Sequence, residues 1–162
     1  MLRGKINFSI ILVILVLVLI IGFFLFNSNG KQNYINYSRT QEKINVKLNN
    51  LLSTEANIEK IYYANKLDEG ETVKRIKKVA KDLEHLYDSF SFNKGDIYIK
   101  ELYITKKEII IDYAELYMNR AESISKGIKP IDSDLTYITN LGIRYTALDN
   151  VLKSKYKINF AS

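Results

Sequence analysis

An uninterrupted apolar run near the amino terminus, from Ile10 to Phe26, constrains this chain more than any other feature of its sequence. The run contains no charged residue and a single glycine, Gly22. Extended back to Ile6 it covers about 21 residues, and a helix of that length is roughly 31 Å long, which matches the hydrocarbon core of a bilayer. We therefore predict that residues 6–26 form a transmembrane anchor, with the lipid bilayer as the partner of this segment.

The residues on either side of the run bear on its orientation. Residues 1–5 form a short basic tail with Arg3 and Lys5, whereas the segment just after the run is neutral. This asymmetry predicts a single-pass protein of the cell membrane, with a cytoplasmic amino terminus and an extracytoplasmic carboxyl-terminal domain. A cleaved signal peptide is the alternative, since Ser28 and Gly30 place small residues at −3 and −1 of a cleavage site. The run is longer than the usual signal-peptide core, which favours the uncleaved anchor.

Composition limits what the rest of the chain can be. The 162 residues include no cysteine and one proline, which excludes a disulfide framework and a thiolate metal site and disfavours a turn-rich all-β domain. The frequent use of Ile, Lys, Asn and Tyr suggests a bacterial source. The net charge is +6, and without Arg3 and Lys5 it is +4. That charge is too small for a nucleic-acid-binding surface, so no nucleic acid is predicted as a partner.

Helical periodicity begins after a polar, glycine-containing stretch, residues 27–37, that is predicted to be a flexible linker. Ser38 and Gln41 have the spacing of a capping box and predict the start of the first helix, which should end near Leu67. Its apolar positions recur at steps of three and four and are interrupted by Glu55. They are Ile44, Leu48, Leu51, Leu52, Ile58, Ile61 and Tyr62.

Three more amphipathic segments follow. The second helix is predicted from an N-cap at Thr72 to a stop at Gly95, on a stripe of Val73, Ile76, Ala80, Leu83, Tyr87 and Phe90. The third is predicted from Asp96 to about Lys126, on Ile99, Leu102, Ile109, Tyr113, Leu116, Arg120 and Ile124. Its first part, residues 97–104, is β-branched and aromatic, so a strand is the alternative there. The fourth is predicted from Ser133 to about Lys155, capped by Asp132, Ser133 or Asp134.

These patterns predict an all-α fold: the transmembrane helix followed by an antiparallel, up-down-up-down four-helix bundle over residues 38–156. Residues 157–162 form a carboxyl-terminal tail. The first and third helices are longer than the others by about two turns, which predicts an overhanging coiled-coil end or a kink.

No set of residues in the sequence indicates catalysis. His85 is the only histidine, so there is no pair of histidines for a metal and no ordinary base for a serine nucleophile. No glycine-rich phosphate loop is present. We predict that the protein is not an enzyme and has no catalytic, metal-binding or cofactor-binding residues and no cofactor.

Two groups of residues are candidates for binding. The second helix carries a basic face that suits an anionic surface such as lipid headgroups or wall polymer, formed by Lys74, Arg75, Lys77, Lys78 and Lys81. A solvated lysine face is the simpler interpretation. The chain also contains twelve tyrosines, and four of them predict a partner or ligand groove between the first and third helices: Tyr62, Tyr63, Tyr113 and Tyr117. Packing with the hydroxyl turned to water is the alternative for these residues.

The anchor, the helical stripes and the lack of a catalytic set favour a membrane-anchored interaction module of the bacterial cell envelope. Its predicted partner is an envelope protein or a second copy of the chain. The alternative is a ligand-sensing bundle, which resembles at fold level the four-helix extracytoplasmic domains of bacterial chemoreceptors and sensor kinases. Because the chain ends at Ser162, such a sensor is expected to signal through a separate protein.

Overall fold

The computed structural model describes residues 8–92, 94–130 and 133–158, and within them the side chains of 16–19, 28–92, 94–130 and 135–158. Over these residues the chain forms four α-helices and no strand: α1 Phe8–Tyr63, α2 Glu69–Ser89, α3 Ile97–Ser125 and α4 Ser133–Tyr156. The predicted all-α class is confirmed, and residues 97–104 belong to α3 and not to a strand. The predicted tail at residues 1–5, and 159–162 of the carboxyl-terminal tail, lie outside the described residues.

α1 continues without a break through residues 27–37, so the prediction of a flexible linker there is wrong. Tertiary packing overrides the polar composition of this stretch, because Tyr34 and Tyr37 are both fully buried. Gly30 allows a close approach to α4: a Cβ at this position would lie 2.6 Å from the hydroxyl oxygen of Tyr156. The stretch is helical because one of its faces is part of the core.

The predicted cell-membrane localisation, with one span and an exported carboxyl-terminal domain, is contradicted. Within the part of the chain that the structure describes, no helix combines the length and the apolar character needed to cross a bilayer. Most side chains of the predicted anchor, residues 6–26, lie outside the described ranges. The side chains of residues 16–19 are described, and they are exposed. The helix also does not end near Phe26, the predicted boundary between anchor and linker, but runs as one element to Tyr63.

α2 and α3 each begin after an aspartate whose side chain caps the helix, and the cap of α2 differs from the predicted one. α2 is capped by Asp68 and not by Thr72: the Asp68 carboxylate accepts a hydrogen bond from the backbone N–H of Glu71 at 2.8 Å. Thr72 is instead buried inside the first turn. α3 begins directly after Asp96, as predicted, and the predicted caps of α4 have side chains outside the described residues.

The helix ends are closed mainly by residues with a left-handed backbone. α3 ends as predicted just before Gly127, whose φ is 64°. α1 ends at Tyr63, four residues earlier than predicted, because Asn65 adopts a φ of 54° and starts the turn. The predicted capping box at Ser38 lies inside α1 and starts no helix. α2 ends at Ser89, before the predicted stop at Gly95.

The apolar stripes predicted from the sequence form most of the core, although Ile61 of the α1 stripe is exposed. On α2, Ile76, Ala80 and Leu83 are buried, and Val79 and Leu86 widen the buried face. α1 and α3 each contact all three other helices, whereas α2 and α4 do not approach each other within the described residues. α3 therefore packs between α2 and α4, which explains why its buried face is broad.

Candidate functional site

A groove of about 840 Å³ lies between α1, α3 and α4. Its apolar lining comes from all three helices and includes Leu48, Leu52, Ile109 and Ile138. Polar residues complete the lining: Gln41, Asn45, Thr139, Thr146 and Asn150. α4 also contributes Gly142 to the lining, and a Cβ at this position would meet nothing within 4 Å.

Lys106 is the only charged residue among the described residues that line this groove, and it is only 8% exposed. It occupies a core position on α3, between Leu102 and Ile109, where a lysine is almost never found unless it is paired. Within the described part of the chain its ammonium makes no ion pair and no hydrogen bond; the Nζ lies 5.3 Å from the centre of the Tyr145 ring. Burial lowers the pKa of Lys106 to about 8.

Hydrogen bonds between α1 and α4 hold the Tyr145 ring in place next to Lys106. The hydroxyls of Tyr145 and Tyr37 share a buried hydrogen bond of 3.1 Å. One turn away, the Tyr34 hydroxyl donates to the carboxylate of Asp149 at 2.6 Å. Burial raises the pKa of all three phenols, so they are neutral at physiological pH. The groove thus has a fixed aromatic wall at one side of its single cation.

A second buried polar cluster connects α1 and α3. The Arg120 guanidinium lies 3.0 Å from a Glu55 carboxylate oxygen and 3.1 Å from a Glu59 carboxylate oxygen, measured from Nη1. Glu55 is 2% exposed. Desolvation, and next the nearby Glu59 carboxylate, raise the pKa of Glu55 to about 7 despite the opposing effect of Arg120. The Tyr117 ring packs beside the cluster, 5.7 Å from the guanidinium carbon.

The four tyrosines predicted to form one groove are distributed over three surroundings. Tyr113 lines the groove between α1, α3 and α4, and Tyr117 packs against Arg120. The rings of Tyr113 and Tyr117 are neighbours, 6.0 Å apart between centres. Tyr62 and Tyr63 line a different hollow of about 220 Å³ beside the loop that follows α3. The structure therefore brings Tyr113 and Tyr117 together and separates them from the other pair.

The predicted basic face of α2 is exposed along its length. Four of its lysines line a shallow depression of about 510 Å³: Lys74, Lys77, Lys78 and Lys81. Arg75 donates from Nε to Glu71 at 2.8 Å, and Lys74 lies 3.8 Å from the same carboxylate. The role of the basic face of α2 as a contact for an anionic surface stays a prediction.

His85 lies on the exposed surface of α2, where it lines a hollow of about 440 Å³ with Asp82 and Lys47. Among the described residues no group of three potential ligands is arranged to hold a metal ion.

Lys106 was not among the residues predicted from the sequence to bind, although a signal for it exists. The predicted stripe of α3 steps by seven positions from Leu102 to Ile109, and Lys106 occupies the core position in that gap. Glu55 and Arg120 were both noted in apolar stripes, but their pairing depends on how α1 and α3 pack. Comparisons with protein-family models, with curated proteins and with solved structures found no match.

Proposed function

We propose that this chain is a non-catalytic helical interaction module, folded as an antiparallel four-helix bundle, and that it binds a partner protein at the groove between α1, α3 and α4. Contacts between neighbouring helices support the antiparallel order. Residues 30, 34 and 37 of α1 contact residues 156, 149 and 145 of α4, in that order. The residue numbers increase along α1 while they decrease along α4, as expected for antiparallel helices. Between α2 and α3, Phe90 packs on Tyr103, whereas Tyr87 meets Lys107.

The observation that carries the proposal is the groove itself. An apolar hollow of this size, lined partly by amides and hydroxyls, is a common form of binding site. Ile143 belongs to this lining and is 64% exposed, so it offers apolar surface that a partner can cover.

Filling the groove tests this proposal. Gly142→Leu places a side chain into open space, and replacing a helical glycine should raise the stability of α4 by about 1 kcal/mol. A photoreactive residue at position 45 of the full chain should cross-link to its partner in cells, and Gly142→Leu should abolish the cross-link. Asn140→Leu is the matched control, because Asn140 is exposed on α4 and lies outside the groove. This variant should keep the cross-link.

The outcomes separate the possible occupants. A cross-linked species of twice the 18.8 kDa chain mass would identify a second copy as the occupant, whereas another mass would indicate a different protein. Cross-linking that persists unchanged in Gly142→Leu would show that partners bind elsewhere, and the proposal would be wrong.

One observation favours a second candidate, a ligand-sensing bundle that signals through a separate protein. Small-molecule sites are mostly apolar with a few placed polar or charged groups, as Lys106 is here, and about 840 Å³ is within the range of their volumes. In this form of the proposal the groove binds the ligand, and the partner protein responds to its occupancy.

A further inference from the structure

We infer that the groove between α1, α3 and α4 binds a small monocarboxylate with an apolar body, whose carboxylate pairs with the ammonium of Lys106. This inference rests on the ligand-binding form of the proposed function. It adds the chemical class of the ligand and the residue that selects it.

The charge of the site points to an anion. The Lys106 side chain is 8% exposed, and an ammonium largely removed from water costs free energy unless it is paired; a ring 5.3 Å away compensates only part of that cost. A carboxylate that accepts a hydrogen bond from the Lys106 Nζ would supply the missing counter-charge. Because the described lining holds no second charged residue, one negative charge neutralises it and a second would be unpaired. This argues for a monocarboxylate over a phosphate dianion.

The rest of the lining points to an apolar body. Leu48, Ile109 and Ile138 are buried residues that contribute apolar surface to the same hollow as Lys106. Each methylene that leaves water for such a surface contributes about 0.8 kcal/mol. The amides of Asn45 and Asn150 can donate hydrogen bonds to polar atoms of the ligand at the groove's edge.

Three probes of equal length separate charge recognition from apolar binding: octanoate, octanol and octylammonium. Titration calorimetry of the full chain at pH 7 should give an affinity for octanoate at least about tenfold above that for octanol, because only octanoate pairs with the ammonium. Octylammonium should bind more weakly than octanol, since it places a second cation beside Lys106. Equal affinities for octanoate and octanol would overturn the inference.

Variants assign the preference to Lys106. Lys106→Met keeps an unbranched side chain that is one atom shorter, removes the charge and should reduce the ratio of octanoate to octanol affinity to about one. Lys107→Met is the matched control, because Lys107 does not line the groove and its Nζ lies 3.8 Å from the Tyr87 ring centre. It should keep the wild-type ratio, and a ratio unchanged in Lys106→Met would overturn the assignment.

The pH dependence supplies a readout that loss of folding cannot imitate. Octanoate affinity should fall between pH 7 and pH 9.5 as Lys106 loses its proton, while octanol affinity stays constant. Lys106→Arg keeps its charge over this range and should bind octanoate equally at both pH values. An octanoate affinity that does not change with pH in the wild type would contradict the role of Lys106.

The inference and the proposed function fail in different ways. If octanoate and octanol bind equally and Gly142→Leu blocks both, the groove is a binding site but Lys106 does not select its ligand. If the wild type binds none of the three probes at millimolar concentration, the carboxylate inference is wrong. The cross-linking comparison of Gly142→Leu with Asn140→Leu then still decides whether a partner protein occupies the groove.

Discussion

Glu55 shows how one buried residue makes the stability of this protein depend on pH. Two carboxylates one turn apart on α1 share the Arg120 guanidinium, and Glu55 is almost completely removed from water. Burial of an ion pair is favourable only when the attraction exceeds the cost of desolvation. The pKa of Glu55 is raised to about 7, so that cost and the repulsion from Glu59 outweigh the attraction to Arg120.

This raised pKa predicts that Glu55 lowers stability as the pH increases. The pKa is about 7 in the folded chain, against the ordinary value of 4.5, so the native state binds more protons between these values. The bound proton stabilises the native state fully below about pH 4.5, and this stabilisation is lost as the pH rises through about 7. It contributes at most about 3 kcal/mol to the free energy of unfolding. Urea unfolding at pH 5 and pH 8 measures it.

Glu55→Gln should flatten this dependence, because glutamine cannot ionise and keeps an oxygen that accepts from Arg120. Glu84→Gln changes an exposed carboxylate on α2 and should keep the wild-type difference between the two pH values. If Glu55→Gln and the wild type show the same change in the free energy of unfolding from pH 5 to pH 8, the carboxylate is not the source.

At the scale of the helices, Asp96 joins the start of α3 to the end of α4. Its Oδ1 accepts from the backbone N–H groups of Tyr98 and Ile99, both at 3.1 Å, which caps α3. Its other oxygen accepts from the Tyr156 hydroxyl at 2.8 Å and from Lys155 at 3.3 Å. Burial raises the pKa of this carboxyl, but these hydrogen bonds together hold it below its usual value. The cap of one helix is therefore also a tertiary contact.

Asp96→Ala should accordingly destabilise the protein more than an ordinary cap substitution. Loss of a local cap costs about 1 kcal/mol, and the lost hydrogen bond to Tyr156 should add about 1 kcal/mol. Asp68→Ala is the matched comparison, because the Asp68 side chain is exposed and caps α2 with one local hydrogen bond. Denaturant unfolding of both variants gives the comparison, and an equal loss in each would mean that Asp96 acts only as a local cap.

At the scale of the whole molecule, α1 is the helix whose extent matters most. Its segment at residues 28–40 packs on the carboxyl-terminal half of α4, through the buried rings of Tyr34 and Tyr37. Beyond this segment the groove lies between the two helices. α1 therefore both packs on α4 and forms one wall of the site. A flexible linker at residues 27–37 would leave α4 without this contact.

Hydrogen exchange of the full chain tests this arrangement. Amides of residues 31–37 should be protected to within about tenfold of those at 44–52, because both segments belong to one packed helix. Tyr37→Ala should reduce protection at 31–37 and leave that of residues 76–83 on α2 nearly unchanged. Exchange of residues 31–37 at the rates of an unstructured peptide would restore the linker interpretation.

Much of the fold follows from local patterns, and the candidate site does not. The stripes of α2, α3 and α4 and the stop at Gly127 were predictable, because side-chain period and backbone φ preference act over a few residues. The N-cap of α2 was assigned to Thr72 because several polar residues compete at that turn. The groove was not predictable, since it depends on how α1, α3 and α4 pack together.

By itself, the sequence determined that the described chain is helical and which faces of α2, α3 and α4 are apolar, because neighbours three and four positions apart decide both. Only the tertiary structure decided that residues 27–37 are helical, since the reason lies in α4, more than a hundred positions away. It also decided that Glu55 meets Arg120 across 65 positions and that Lys106 faces a hollow without a counter-charge. Burial and pairing depend on which helices pack together, and no local pattern specifies that.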